Sequence, residues 1–546
     1  VDTDAIEREV KLEAGVGFRI PDFTGAWPGL SVRPQPEQHL QAIYMDTPDL
    51  RLLRSGLTLR HRTDRETGSG TWTLKLPAPS QGAGLSRREM NWPGRPGPVP
   101  AEIYSLVRAY RRTAPLGPVA RLVTLRHRTL LCGRLGEALI EIDDDVVSVM
   151  DGRRLAARFR EVEVEVVGPA PETLLGAVVD RLRDAGAVEA DGPPKLARAL
   201  GARAVEPPDV QPVSMRSDST MGDTVRAAIA HGYLRLVAHD LGVRLADDPE
   251  DVHQARVATR RLRSDLRTFR AFLPAGWDVE TRTELGWVAE ALGGARDADV
   301  MLERLRSHVQ ALEPDDARAA GVLITRLVNE RDEAHHALLA VMDSDRYGLL
   351  LDRLVDAARE LPPMKTEVLE PAPDVEPLDG PAEEGNPDHV PVDTHSVPET
   401  GPTAVVPDRE APARRLAPEV VTGPWRHLNR AVQALGPDPG DDALHEVRIR
   451  AKRLRYACEA VAGVAGKPAG KMARAAANLQ GVLGDFHDAI VAEDWLRSAS
   501  ARLAVREALA AGQLIAHERH DAARCRSEWQ ASWKRLDRKK LRAWLQ

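Results

Sequence analysis

Within its first 202 residues the chain contains short stretches, broken by Gly/Pro turns, that alternate polar and apolar residues with a period of two, and the polar positions are sorted by charge. Glu7, Glu9 and Lys11 fall at i, i+2 and i+4, which in an extended strand puts all three on one face. The same spacing gives basic rows at Arg60 and Arg62 and at Arg126 and Arg128, and a mixed pair at Arg87 and Glu89. It also gives a polar row at Thr71, Thr73 and Lys75. Acidic rows follow at Glu141 with Asp143, and at Glu161, Glu163 and Glu165. Between them stand Val10 and Leu12, Leu59, Leu74 and Leu76, Ile140 and Ile142, and Val162, Val164 and Val166. One such strand alone reads as an ordinary sheet with a wet face. Recurrence with sorted signs constrains the fold further: a closed antiparallel barrel with a polar lumen and an apolar exterior packed under helices satisfies every row at once.

Carboxylate rows hold hard divalent cations through oxygen, and Arg and Lys rows neutralise phosphate oxygens. Opposed rows in one lumen therefore make a site for a triphosphate and its metal. A helical pattern at 171–185 interrupts the strands.

The order of these motifs resembles the CYTH family, the triphosphate tunnel metalloenzymes. The resemblance rests on Glu7-x-Glu9-x-Lys11, then Tyr44-Met45-Asp46-Thr47-Pro48-Asp49-Leu50, Leu59-Arg60-His61-Arg62 and Trp72-Thr73-Leu74-Lys75. The strand Glu161-Val162-Glu163-Val164-Glu165 and the closing Pro194-Lys195-Leu196-Ala197-Arg198 complete the order. It implies an eight-stranded antiparallel tunnel with flanking helices and Mg2+- or Mn2+-dependent attack on a triphosphate. Carried onto this sequence, it implies Glu7, Glu9 and Lys11 as catalytic residues. The metal ligands would be Glu7 and Glu9 with two of Glu161, Glu163 and Glu165. Lys11, Arg60, Arg62, Lys75, Lys195 and either or both of Arg126 and Arg128 would hold phosphates. The family also includes adenylate cyclases and thiamine triphosphatases.

After a Pro-rich linker at 203–219, residues 220–546 carry helical periodicity and an internal repeat. His253, Arg256, Arg260 and Arg263 match His445, Arg448, Lys452 and Arg455, an offset of 192 residues. Leu292-Gly293 with Asp297-Ala298 matches Leu483-Gly484 with Asp488-Ala489. Two similar halves, 220–361 and 414–546, predict an all-α bundle about a pseudo-twofold axis. Between them, residues 366–413 hold twelve carboxylates against Arg409. That stretch carries −11 of a chain whose net charge is −7, so the rest is +4 and mildly basic. Such a segment buries too little apolar surface to offset its ordering entropy, and the insertion 362–413 is expected to be disordered.

Each matched segment keeps four bases on one helix face by spacings of 3, 4 and 3. The first twelve-residue segment contains no acid and the second only Glu446, so the stripe predicts an anionic partner. These segments resemble the CHAD family, the conserved histidine α-helical domain. That resemblance implies a basic channel for long-chain polyphosphate lined by His253, Arg256, Arg260, Arg263, His445, Arg448, Lys452 and Arg455. Fusion of the two modules favours inorganic tripolyphosphate over an organic triphosphate.

Several classes are disfavoured. Aromatic residues make up 4% of the chain, too few for the stacking platforms of single-strand nucleic-acid readers. There is no GxxxxGK[ST] loop or GxSxG elbow. His517-Glu518-Arg519-His520 lacks the spacing of a zincin, and His335-His336 reads as a surface pair. Three scattered cysteines, no membrane-length apolar run and an acidic start predict a cytoplasmic protein, with polyphosphate granules as its place of association. An enzyme and a non-catalytic polyphosphate binder remain the two alternatives. Retention of the carboxylate rows favours the enzyme.

Overall fold

The structure is a computed structural model and describes residues 3–15, 17–77, 85–189, 195–216, 218–364 and 408–545. The chain divides into two compact units, Val1–Asp209 and Val210–Gln546. The bulk of the acidic insertion, 365–407, lies outside the described residues, and with it the expectation of disorder.

The first unit is one antiparallel sheet of ten strands. They are β1 (Thr3–Glu13), β2 (Ser31–Pro34), β3 (Gln38–Asp46), β4 (Thr58–Asp64), β5 (Gly70–Pro77), β6 (Leu85–Pro93), β7 (Gly117–Cys132), β8 (Ala138–Asp151), β9 (Arg154–Val166) and β10 (Val188–Glu189). Eight of them run in the order β1-β6-β5-β4-β3-β7-β8-β9, and β9 pairs back with β1, which closes the ring. The short β2 and β10 attach outside it, on β7 and β1. β1 serves two partners. Its first part, through Glu9, pairs with β6, and its second part, from Glu9 to Glu13, pairs with β9.

The inverted alternation is realised as expected. Leu12, Leu131, Ile140, Ile142, Val162 and Val164 point out of the ring and are buried under helix α1 (Glu172–Asp184) through Leu174, Leu175, Val178, Val179 and Leu182. Each fully buried Leu or Val contributes about 1.5–3 kcal/mol by leaving water. One end of the ring is closed. There the inward positions turn apolar, and Ala42, Tyr44, Leu122, Val147 and Val149 pack against Leu196 of the short helix α2 (Lys195–Leu200).

The segment expected as a linker is partly fastened to this unit. Residues 201–205 form a 3-10 turn. Asp209 then accepts Arg54 at 2.8 Å and pairs with Arg112, and Arg54 Nε donates to the Pro207 carbonyl at 2.7 Å. The sequence reading missed this because the arginines lie about a hundred or more residues upstream of Asp209.

The second unit is helical. The first half contains α3 (Met221–Leu245), α4 (Pro249–Thr268), α5 (Trp277–Val309), α6 (Gly321–Asp343) and α7 (Asp345–Arg359). The second contains α8 (Ala413–Gln433), α9 (Asp441–Ala460), α10 (Lys467–Ser500) and α11 (Val505–Leu536). Helix α3 starts on a capping box in which Thr220 and Asp223 satisfy each other's backbone N–H groups. Helix α4 starts on Asp248 with Pro249 at its first turn. The repeat appears in the packing. Helix α4 sits between α3 and α5 as α9 sits between α8 and α10, and α4 meets α9 across the middle. Leu302 and Leu305 of α5, Leu323 and Leu327 of α6, Leu496 of α10 and Leu514 of α11 form one core where the two halves meet.

The second half begins before residue 414. Arg409 donates to the carbonyls of Phe272 and Pro362, and its own carbonyl accepts from Gly222 N–H. Residues 408–412 thus tie the foot of α8 to the first half.

Candidate functional site

The strand registers set the lumen in layers. Across β8, β9 and β1 the opposed residues are Glu141, Glu165 and Glu9; then Asp143, Glu163 and Lys11; then Asp145, Glu161 and Glu13. This is the acidic wall. On β7, Arg128 stands opposite Asp143 and Arg126 opposite Asp145. On β4 and β5, Arg60 stands opposite Thr73, and Arg62 opposite Thr71. Glu7 stands opposite Arg87 by register, and the side chains of both lie outside the described residues.

Most of the predicted bases are engaged. Arg126 makes a bidentate pair with Asp145, at 2.7 and 2.6 Å, and also meets Asp143 and, at 3.4 Å, Glu163. Arg128 bridges Asp143 at 2.9 Å and Glu141 at 2.6 Å. Lys11 lies 2.6 Å from Glu163 and 3.3 Å from Glu9. Lys195 reaches back from α2 to Asp145, to Glu163 at 3.0 Å and to Glu161 at 3.3 Å. Lys75 pairs with Glu89 at 2.8 Å.

Arg60 and Arg62 differ. Among the described residues Arg60 donates only to Tyr44 Oη, at 3.5 Å, and its Nε has no hydrogen-bond partner. Arg62 makes no hydrogen bond or ion pair with a described residue, and lines a cavity of about 160 Å³ with Arg126, Arg128 and one carboxylate, Asp64, beside Gln38, Leu40, Ser69 and Thr71. Arg60 beside it, its burial, and then Arg126 and Arg128 pull the Arg62 guanidinium down to about 10. A buried arginine crowded by arginines is an anion site held ready.

The acidic wall is sorted by its neighbours. Burial raises Glu163, but Lys11, Lys195 and Arg126 outweigh it and hold the carboxyl well below the usual range. Burial, with Glu163 adding, keeps Glu161 raised against Lys195 and Lys11. Burial and Asp143 push Glu141 up to about 7. Burial also raises Glu165, with Glu9, Glu89 and Glu163 adding to it against Lys75.

These donors fit a divalent cation in kind. All are carboxylate oxygens, and the buried Oε1 atoms of Glu9 and Glu161 accept no hydrogen bond; each faces only a lysine at 3.3 Å. Among the described residues no three acidic, histidine or cysteine side chains converge as a complete cage. Mg2+ does not need one, since it is held by one or two carboxylates with phosphate oxygens and water completing its shell.

Sequence reading missed Asp145 and Glu13, although each continues a period-two row by one more position. It also missed Tyr44 as a lumen residue, because Leu40, Ala42 and Tyr44 read as the apolar face of their strand.

In the helical unit all eight predicted stripe residues are half-buried. Acids do reach the stripe, from outside the segments that carry it. Asp297 of α5 lies 3.3 Å from Arg256, and Glu459 accepts Arg455 at 2.8 Å. Glu459 also pairs with Arg261, at 3.1 Å, and so joins α9 to α4. Arg260 Nε donates to Tyr456 Oη at 2.9 Å. The stripe continues one turn past Arg263 to Arg267, which sequence reading omitted. Partial burial and then Arg453, Arg282, Arg263 and Arg270 hold Arg267 down to about 10. Burial and Arg296 lower His253, so it contributes a neutral imidazole more than a charge. The His445 and His487 rings lie 4.4 Å apart with their Nδ1 atoms at 3.2 Å, so one must donate and the other accept.

Glu518 of the 517–520 motif is buried between Arg304, at 2.6 Å, and His308, at 2.9 Å, as a structural ion network. Among the described residues no helix is long and apolar enough to cross a membrane.

The CYTH domain profile matches residues 5–199 and the CHAD domain profile residues 227–497. Protein Rv2226 of Mycobacterium tuberculosis is 32% identical over 567 aligned positions, spanning 98% of this chain and 96% of its own length. Among solved structures, PptA from Streptomyces chartreusis is 25% identical and is covered in full by 58% of this chain, with a TM-score of 0.41. The CHAD domain from the plant Ricinus communis is 21% identical, with 62% of this chain covering 95% of it and a TM-score of 0.40. The domain order and the full-length relative agree: this chain belongs to the family in which a CYTH domain is followed by a CHAD domain.

Proposed function

We propose that the barrel hydrolyses inorganic tripolyphosphate with Mg2+ or Mn2+, and that the helical unit binds long-chain polyphosphate alongside it. A CYTH domain joined to a CHAD domain supports a function directed at triphosphates. The observation that carries the finer reading is the pair Arg60 and Arg62: two guanidiniums inside the barrel, with no carboxylate hydrogen-bonded to either among the described residues, in one lumen with a carboxylate wall in which the buried Oε1 atoms of Glu9 and Glu161 accept no hydrogen bond. An anion alone would not need that wall, and a cation alone would not need those arginines.

On this reading Arg60 and Arg62 take the phosphate oxygens first, at no cost in broken ion pairs. Lys11 and Lys195, which rest on Glu163 and Glu161, exchange carboxylate for phosphate, and the released carboxylates Glu9, Glu161 and Glu163, with Glu7 and Glu165, would hold the metal. When bound, Mg2+ or Mn2+ supplies charge neutralisation and a water of lowered pKa. Arg126 and Arg128 hold the acidic wall in place and border the mouth, where they stabilise charge on the departing phosphate. Among the described residues no aromatic side chain lines this cavity, so a nucleobase would have nothing to stack on there, and its volume is below the roughly 300 Å³ at which drug-sized pockets begin. Both points favour the inorganic substrate.

The test is phosphate release from tripolyphosphate, ATP, thiamine triphosphate and long-chain polyphosphate, with Mg2+ or Mn2+ and with excess chelator. Tripolyphosphate is expected to be fastest, with loss of turnover in chelator, and Glu9→Gln is expected to lower kcat by about 10²–10³-fold, the scale of losing one preorganised polar group. Full activity of Glu9→Gln, or activity indifferent to chelator, would remove the metal from the scheme. A preference for ATP or thiamine triphosphate would replace the substrate.

A further inference from the structure

Tyr44 stands on β3 where the lumen changes from charged to apolar. Its ring is buried among Ala42, Leu122, Val147, Val149 and Leu196 at the closed end. Its hydroxyl points the other way and accepts from Arg60 at 3.5 Å. Having accepted from a cation, the oxygen still carries its own proton, and that O–H donates to no described residue. Buried hydroxyls are rarely left so, because an unmade hydrogen bond in a low-dielectric site forfeits the solvation that water supplied. A buried donor beside guanidinium and ammonium groups is matched by an anionic acceptor and by little else.

Within the proposed function, we infer that Tyr44 is a substrate-contacting residue: its hydroxyl donates to the innermost phosphate of the bound chain and so marks how far that chain enters the barrel. Arg60 orders the oxygen, leaving the proton directed at the lumen, while the apolar ring seals the space beyond. A phosphate carried past Tyr44 would meet Val147, Val149 and Leu196, where an anion cannot be solvated. The electrostatics agree. Burial pushes the phenol up, but Arg60, with Lys195 and Lys11, outweighs it, so the net shift is downward, as it is for a donor set among cations.

The test is Tyr44→Phe in the full chain, which keeps the ring and removes one oxygen. Circular dichroism and the melting temperature are expected to match the parent. The KM for tripolyphosphate is expected to rise about tenfold to a hundredfold with kcat changed less than about threefold, because a hydrogen bond to a charged phosphate made in both ground and transition states is uniform binding. An unchanged KM in a parent that does hydrolyse tripolyphosphate overturns the inference and leaves the proposed function standing. A parent without triphosphatase activity overturns the proposed function instead.

The same substitution on an Arg60→Ala background separates contact from positioning. A further rise in KM supports direct contact, and none would show that Tyr44 acts only through Arg60. Tripolyphosphate binding should also move the alkaline spectrophotometric titration of one tyrosine upward in the parent, by neutralising the cations that depress the phenol. That signal should be absent in Tyr44→Phe. Its persistence would assign it to another tyrosine and count against the inference.

Discussion

Arg126 in the barrel meets three carboxylates, Asp143, Asp145 and Glu163, whereas Arg256 on α4 meets one, Asp297, which is half exposed. The contrast runs through both units. The barrel assembles opposite charges inside a closed wall, where each ion is desolvated and depends on its partner. The bundle spreads like charges along half-buried helix faces, where water screens what the few acids do not. Cations enclosed with anions suit a polyanion together with a metal, and cations spread along a helix face suit a polyanion alone. On the proposed function the two units would divide the handling of phosphate chains along this line.

The largest expected effect breaks the enclosed set. Arg126→Ala would remove the one base that meets Asp143, Asp145 and Glu163 together, leaving them to Arg128, Lys195 and Lys11, and the barrel should lose about 3–5 kcal/mol, the cost of removing one partner from a buried ion network. Thermal unfolding of the full chain should show the barrel transition moving down while the helical transition stays. A shift equal in both, or absent, would mean that water already reaches this layer and that the enclosure is only apparent.

A smaller effect tests an acid buried inside the helical unit. Asp265 of α4 is almost fully buried, its two carboxylate oxygens accept no hydrogen bond, and Arg261 approaches to 3.7 Å. Burial, with Glu459 adding to it, pushes the carboxyl up to about 7 against Arg261. Because the folded value lies above the unfolded one, the contribution of Asp265 to stability is greatest in acid. It falls as pH rises from about 4 to 7, and the penalty is complete above about 7. Asp265→Asn should therefore raise the melting temperature of the helical unit at pH 8, by the equivalent of about 2 kcal/mol, and flatten its dependence on pH. A variant less stable than the parent at pH 8 would show that the ionised form is held by Arg261 after all.

The smallest change in stability should come from the stripe itself. Replacing Arg256, Arg260, Arg448 and Lys452 by Ala should leave the melting temperature of the helical unit within about 3 °C of the parent, since half-exposed ion pairs contribute little. Binding of long-chain polyphosphate should weaken on the order of a hundredfold. The slope of log K against log salt should flatten by about three, as expected when four phosphate contacts are lost on a single strand. Unchanged binding with an unchanged circular dichroism spectrum would reduce the stripe to a solvated face.

Much of this was legible from residue order, and the limits have physical causes. Period-two rows identified the lumen face of β1, β4, β5, β8 and β9 because a strand's side chains alternate whatever its neighbours are. The closed end was not legible. Val147 and Val149 continue the lumen row of β8, but an apolar residue inside a barrel looks in sequence like one outside it. Of the stripe's partners Asp297 already stands in the second matched pair of the repeat, while Glu459 was missed because it lies past the end of the matched segment, where a search within twelve residues does not reach. Nor does a row show which bases lack a partner. Arg60 and Arg126 look alike in sequence, and only the register across the ring gives three carboxylates to one and a phenol to the other.

The closure of the ring by β1 has a consequence for how the barrel comes to exist. Residues 9–13 of β1 pair with residues 161–165 of β9, about 150 positions later. At roughly 5–20 residues per second, synthesis would hold the first strand without its second neighbour for about 10–30 s. Strands β4, β5, β6, β8 and β9 each pair with their immediate predecessor and can form that hairpin as they emerge, but the seam must wait for β9. Pairings of such long range are also intrinsically slow to form. During that interval the alternating edge of β1 is open to any other strand, and the row Glu7, Glu9 and Lys11, with its adjoining charges of both signs, is what makes that edge a poor template for the wrong one.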